Sequence, residues 1–135
     1  QTPVYETDHR GREGSELTMK QVQNALRPTG IPTFAGAWKA TPEHQTPPTE
    51  YLVYTTMTTE GEHWDDTVRK YRVYVYLNLW TMIDPTATIR RVRAAMRQAG
   101  FAMEDETDSY NDDTRQTLVA WTWVLEMEAE DESGI

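Results

Sequence analysis

The chain has 135 residues and carries 13 Lys and Arg against 22 Asp and Glu, for a net charge of −9. That length suits one domain, because a chain of this size buries roughly two thirds of its unfolded surface around a single core. The composition is 38% apolar with five Trp and seven Tyr; it excludes a disordered polymer and a membrane-spanning chain, while the acidic balance argues against gripping nucleic acid over a broad surface.

Residues Gln1 to Gly14 mix charges with Gly and have no apolar period, which predicts a flexible arm outside the core. From Ser15 onward, Met19, Val22, Ala25 and Leu26 share one helical face, and Thr18 with Gln21 has the spacing of a capping box. Pro28 and Gly30 should end this helix near Arg27. Ile31 to Trp38 reads as a short strand, and Lys39 to Glu50, with three prolines, as a loop. The β-branched and aromatic run Tyr51 to Thr59 is broken by EGEHWDD before a second run, Thr67 to Trp80, so a hairpin with a longish connection is expected. In the second run Tyr71, Val73, Val75, Leu77 and Leu79 form the core face, opposite Arg72, Tyr74, Tyr76, Asn78 and Trp80.

Asp84-Pro85 opens the clearest helix and Gly100 closes it, with Ile89, Val92, Met96 and Ala99 as the apolar stripe and Arg90, Arg91, Arg93 and Arg97 on the other faces. Phe101 to Thr114 reads as a short strand or irregular segment. Gln116 to Glu130 reads as a long strand, with Val119, Trp121, Trp123, Leu125 and Met127 on one face. The order of elements predicts an α+β domain over residues 15–130: a mainly antiparallel, mixed sheet with two helices on one face and long loop or hairpin extensions, followed by an acidic tail over 131–135.

Catalytic chemistry finds little support. There is no Cys, so thiol nucleophiles, thiolate metal sites and disulfides are excluded, and Ser15, Ser109 and Ser133 fall in caps or loops rather than in a nucleophile elbow. His9, His44 and His63 lack metal-ligand spacing, and His63 with Asp65 and Asp66 is better read as turn chemistry. The acidic run Glu104, Asp105, Glu106, Asp108, Asp112 and Asp113 lacks the Gly and the closing Glu of a calcium loop and reads as a solvated segment. No glycine-rich phosphate loop is present. No enzymatic activity, cofactor or metal is expected. No apolar run approaches the roughly 20 residues needed to cross a bilayer, so no membrane contact is expected either.

Charge, by contrast, is segregated. Seven of the 13 basic residues lie between Arg69 and Arg97, whereas Phe101 to Ile135 holds 11 acidic residues against the single Arg115. Such a dipole suits head-to-tail contact between identical subunits, although an ordinary solvated surface accounts for it equally well. The aromatics opposite the core on the middle strand, Tyr74, Tyr76 and Trp80, mark either a second buried layer under the Pro-rich loop or an interface.

Between Leu17 and Glu130 the pattern resembles the tail terminator, or tail completion, proteins of long-tailed bacteriophages. The resemblance lies in ALRPTGIPTFAGAW (Ala25 to Trp38), PPTEYLVY (Pro47 to Tyr54), WDD (Trp64 to Asp66) before a tyrosine-rich strand, a helix ending in Ala99-Gly100-Phe101, and a final aromatic strand. The family's Pro usually precedes the Tyr directly, whereas Thr49 and Glu50 intervene here, and the arginine-rich second helix is more basic than the motif requires. The resemblance implies a homo-oligomeric ring, expected to be a hexamer, that caps the tail tube, stops its polymerisation and offers a docking surface to the head-side connector or stopper protein. DNA would pass through the lumen without being read. Its partners would be the major tail tube protein and the connector, and its place the tail or neck of the virion, reached from the host cytoplasm during assembly. Candidate contact residues are Arg90, Arg91, Arg93 and Arg97, the aromatics Tyr74, Tyr76 and Trp80, and the C-terminal Glu126, Glu128 and Glu130. The alternatives are a head-side neck protein, such as a head completion or stopper protein, and a monomeric module that binds a peptide or small ligand through the Tyr74, Tyr76, Trp80 surface.

Overall fold

The computed structural model describes residues 19–64 and 67–128. The expected arm over 1–14, the capping box through Thr18, the His63–Asp66 turn beyond Trp64, Glu130 and the tail over 131–135 lie outside the described residues.

The first helix, α1, covers residues 19–26 of the described chain and tightens into a 3-10 turn at Arg27–Thr29. Pro28 removes a donor there, and Gly30, at φ 74°, takes the left-handed conformation that ends the turn with its N–H on the Arg27 carbonyl. Strand β1 is only Thr33–Ala35, followed by β2 (Glu50–Trp64), β3 (Thr67–Thr81), helix α2 (Thr86–Gln98), β4 (Ala102–Asn111) and β5 (Gln116–Glu128).

These strands form one mixed sheet in the order β1-β2-β3-β5-β4. Only β1 pairs in parallel, with β2; the other pairs are antiparallel. Helix α2 carries the chain across β5 to the far edge, which makes β4 an edge strand running in the direction of β3. The structure is therefore the expected α+β fold, a mixed and mainly antiparallel open sheet with two helices.

Both helices lie on one face. Val22, Ala25 and Leu26 of α1 and Val92 and Met96 of α2 join Leu52, Tyr54, Val73, Val75, Leu77, Leu79, Val119, Trp121 and Trp123 in a single buried cluster. The period-two alternation of β3 and β5 aims these side chains the same way. The Tyr54 hydroxyl, buried with them, accepts from Gln23 Nε2 at 3.0 Å. The Trp123 indole N–H has no hydrogen-bond partner among the described residues.

Five local expectations change. The first run does not stop at Thr59, because β2 keeps pairing with β3 as far as Trp64 opposite Thr67, with register irregularities around Glu62 absorbing the EGEH segment. A β-bulge tolerates a residue that breaks the alternation, so β2 runs on to Trp64 and β3 is already under way at Thr67. Residues 102–111 form a ten-residue strand rather than a short or irregular segment. Helix α2 starts at Thr86, with Pro85 at the cap position and the Asp84 carboxylate accepting from the Thr86 amide at 3.0 Å. Ala99, expected on the apolar stripe, is exposed, and Tyr71 is half-buried rather than core. The end of α2 is a Schellman motif: Gly100, at φ 97°, bonds to the Arg97 carbonyl while the Phe101 N–H reaches the Met96 carbonyl, and Phe101 drops into the core.

Candidate assembly interface

The arginines of α2 divide by the angle at which the helix presents them. Arg93 points towards edge strand β4, where its guanidinium holds both oxygens of Glu106, one of them from Nε at 2.8 Å. The same carboxylate accepts from the indole N–H of Trp121. Arg93 holds the Glu106 carboxyl below its ordinary range, with the Trp121 N–H adding to the effect against partial burial. This cluster fastens β4 to α2 and β5 within one molecule.

Arg91 faces the other way. It donates to the Thr29 carbonyl at 2.8 Å and lies 3.9 Å from Glu50, with its side chain still half exposed. Glu50 itself accepts from Thr81 at 3.0 Å and Thr88 at 2.7 Å, so one carboxylate ties together the start of β2, the end of β3 and the first turn of α2. Thr29, Thr81 and Thr88 are the buried polar residues of this seam. Nothing in the sequence pattern singled out Glu50 or Glu106, since isolated acids in an acidic chain carry no period. Arg90 and Arg97 are exposed.

No helix lies on the second face of the sheet among the described residues. Tyr51 and Val53 are buried there, and Phe34 meets Tyr51 edge-on with ring centroids 6.2 Å apart. Burial pushes the Tyr51 phenol up, partly offset by a hydrogen bond with Gln116. The rest of this face opens towards solvent: Tyr74 and Trp80 are half-buried, Tyr76 is 38% exposed and Met57 46% exposed. Strand register brings Tyr76 between Thr55 and Thr122, and Tyr74 between Met57 and Val124, which makes one continuous surface of the three predicted aromatics. Glu126 sits at its end in an exposed pair with Arg72, 3.5 Å apart. Glu128 ends β5, opposite Lys70.

Three features escaped the sequence reading. Met82 and Ile83, in the turn between β3 and α2, are each 53% exposed. Tyr110, on β4, is 61% exposed. Between α1 and α2 runs a groove of about 410 Å³, walled by Ala25, Pro28, Ala94 and Ala95 and bordered by Arg91 and Gln98. Among the described residues no three His, Asp or Glu side chains converge as metal ligands, and no helix is long and apolar enough to cross a membrane.

No protein family matches the chain by sequence, and no curated protein does. A solved structure resembles it at a TM-score of 0.52 and 16% identity, covering 84% of this chain and 94% of its own. At that identity the likeness concerns the fold alone.

Proposed function

We propose that this chain is a non-enzymatic structural protein of the bacteriophage tail terminator type, assembling into a ring that caps the tail tube and receives the head-side connector. The observation that supports this reading best is the contrast between two chemically unlike faces on one thin subunit: a half-open aromatic sheet face and an arginine-bearing helical face. Large aromatics left open on a sheet mark contact surfaces, and a cap between tube and head needs two different ones. The order of elements agrees with the resemblance in the sequence. A net charge of −9 suits a ring through which DNA passes, because a lumen lined by carboxylates repels phosphates.

Light scattering after size exclusion, over a wide concentration range and at low and high salt, tests the reading when combined with negative-stain images of any large species and with added tail tubes. Rings with a central hole that bind tube ends and stop tube growth are expected. A protein that never caps tubes and instead binds a peptide or small ligand as a monomer through Tyr76 overturns it.

A further inference from the structure

Charge in the described chain follows the elements. Residues 19–29 and 86–98, the helical layer, carry Lys20, Arg27, Arg90, Arg91, Arg93 and Arg97 and no acid. Residues 102–115, the edge strand and its turn, carry six acids and one base, Arg115 at the end of the turn. Arg93 pairs internally with Glu106 and Arg91 lies 3.9 Å from Glu50, which leaves Lys20, Arg27, Arg90 and Arg97 on the helical layer and five carboxylates on the edge strand and its turn.

Each patch also holds one half of an apolar fit. Tyr110 is more exposed than any other large hydrophobic side chain described, and it stands at the end of β4 among Asp108, Asp112 and Asp113. Asn111 shapes the turn beside it, accepting from the Asp113 amide at 2.9 Å, so the projection has a defined geometry. The groove between α1 and α2 is the complementary shape: small side chains wall it, and Ala94, one of its exposed residues, has Arg90, Arg91 and Arg97 as its helical neighbours. Met82 and Ile83 are also exposed, but the sequence beside them carries a single acid, Asp84, rather than an acidic run.

We infer that the α1–α2 groove of one subunit receives Tyr110 and the acidic β4–β5 turn of a second copy of the same chain. The contact is heterologous, since groove and projection are different patches; repeated around an axis it closes a ring, and unclosed it makes a filament. An aromatic anchor in an apolar socket supplies the affinity, while the surrounding charges set orientation and salt dependence. The inference deepens the ring reading by naming the surfaces that meet, yet it stands or falls on self-association alone.

The absence of cysteine makes disulfide trapping direct. Gln98→Cys, on the groove border, and Asp112→Cys, in the turn beside Tyr110, are exposed positions. Mixed and treated with diamide, the two variants should give a covalent heterodimer that neither forms alone, and adding Tyr110→Ala to the Asp112→Cys chain should abolish it. Light scattering should show Tyr110→Ala weakening association about ten- to a hundredfold at an unchanged melting temperature. Arg90→Glu/Arg97→Glu and Asp112→Arg/Asp113→Arg chains should each fail to associate alone and associate again when mixed. Absent trapping, trapping of Asp112→Cys by Tyr76→Cys on the sheet face instead, or unchanged association of Tyr110→Ala overturns the inference. Rings that still cap tubes after such a result leave the terminator reading standing, whereas trapped oligomers that never cap tubes remove that reading and keep the contact.

Discussion

The two faces of the central strands β2, β3 and β5 share one backbone and comparable apolarity, yet their fates differ. On the inner face Val73, Val75, Leu77, Leu79, Trp121 and Trp123 are sealed to 2% exposure or less. On the outer face Tyr74, Tyr76 and Trp80 stay partly open. The difference comes from cover: α1 and α2 lay Val22, Leu26, Val92 and Met96 over one side and nothing over the other among the described residues. Val and Leu on the inner face gain only from burial, and the Trp121 indole and Tyr54 hydroxyl buried with them are met by Glu106 and Gln23, whereas the outer Tyr and Trp keep a polar handle that tolerates water until a partner arrives. A face built this way is stable uncovered and gains when covered.

Substitution on the two faces provides the strongest test. Leu77→Ala removes a fully buried side chain between the helices and the sheet and should cost about 2–5 kcal/mol in denaturant unfolding. Tyr76→Ala on the outer face should cost about 1 kcal/mol or less, while any docking that uses this face weakens. Equal losses at both positions would mean that the outer face is core as well.

A smaller effect is expected at the hinge between helix layer and edge strand. Glu106→Ala leaves the Trp121 indole N–H without its acceptor and frees Arg93, which should cost about 1–3 kcal/mol and raise amide exchange first along β4. The same carboxylate gives a pH signature. Its folded pKa lies below the ordinary value of 4.5, so its contribution is fully present above that value and is lost as pH falls through the folded pKa. Acid titration of stability should therefore be shallower in Glu106→Gln than in the parent protein below about pH 4.5. The smallest effect belongs to Arg72→Ala: its pair with Glu126 is half exposed on both sides, and unfolding curves should superimpose on those of the parent.

Much of the fold was legible in the sequence because its signals are local. Alternation along Tyr71–Trp80 and Val119–Met127 placed the inner face correctly, although Tyr71, Leu125 and Met127 at its end are only half-buried, and Asp84, Pro85 and Gly100 bracketed α2 to within two residues. The edge strand was illegible for a physical reason. A register irregularity between Met103 and Asp105 shifts the parity, so Met103 and Glu106, rather than Met103 and Asp105, point to the helix side, and a strict period of two never shows. The same kind of irregularity near Glu62 hid the length of the β2–β3 hairpin. Among the candidate contact residues, the arginines formed one group in sequence, and only the folded chain separates Arg93, fastened to Glu106, from the exposed Arg90 and Arg97.

By itself, then, the sequence determined the α+β class, the inner face of the sheet, the bounds of α2 and the separation of positive from negative charge, because each of these is written in near-neighbour periodicity or in composition. Tertiary structure alone decided which arginines are bound within the molecule, that Glu50 and Glu106 stitch distant elements together, and that Tyr110 projects while a groove opens between α1 and α2. Those features depend on strand register and helix placement, where residues tens of positions apart become neighbours, and no local pattern encodes that distance.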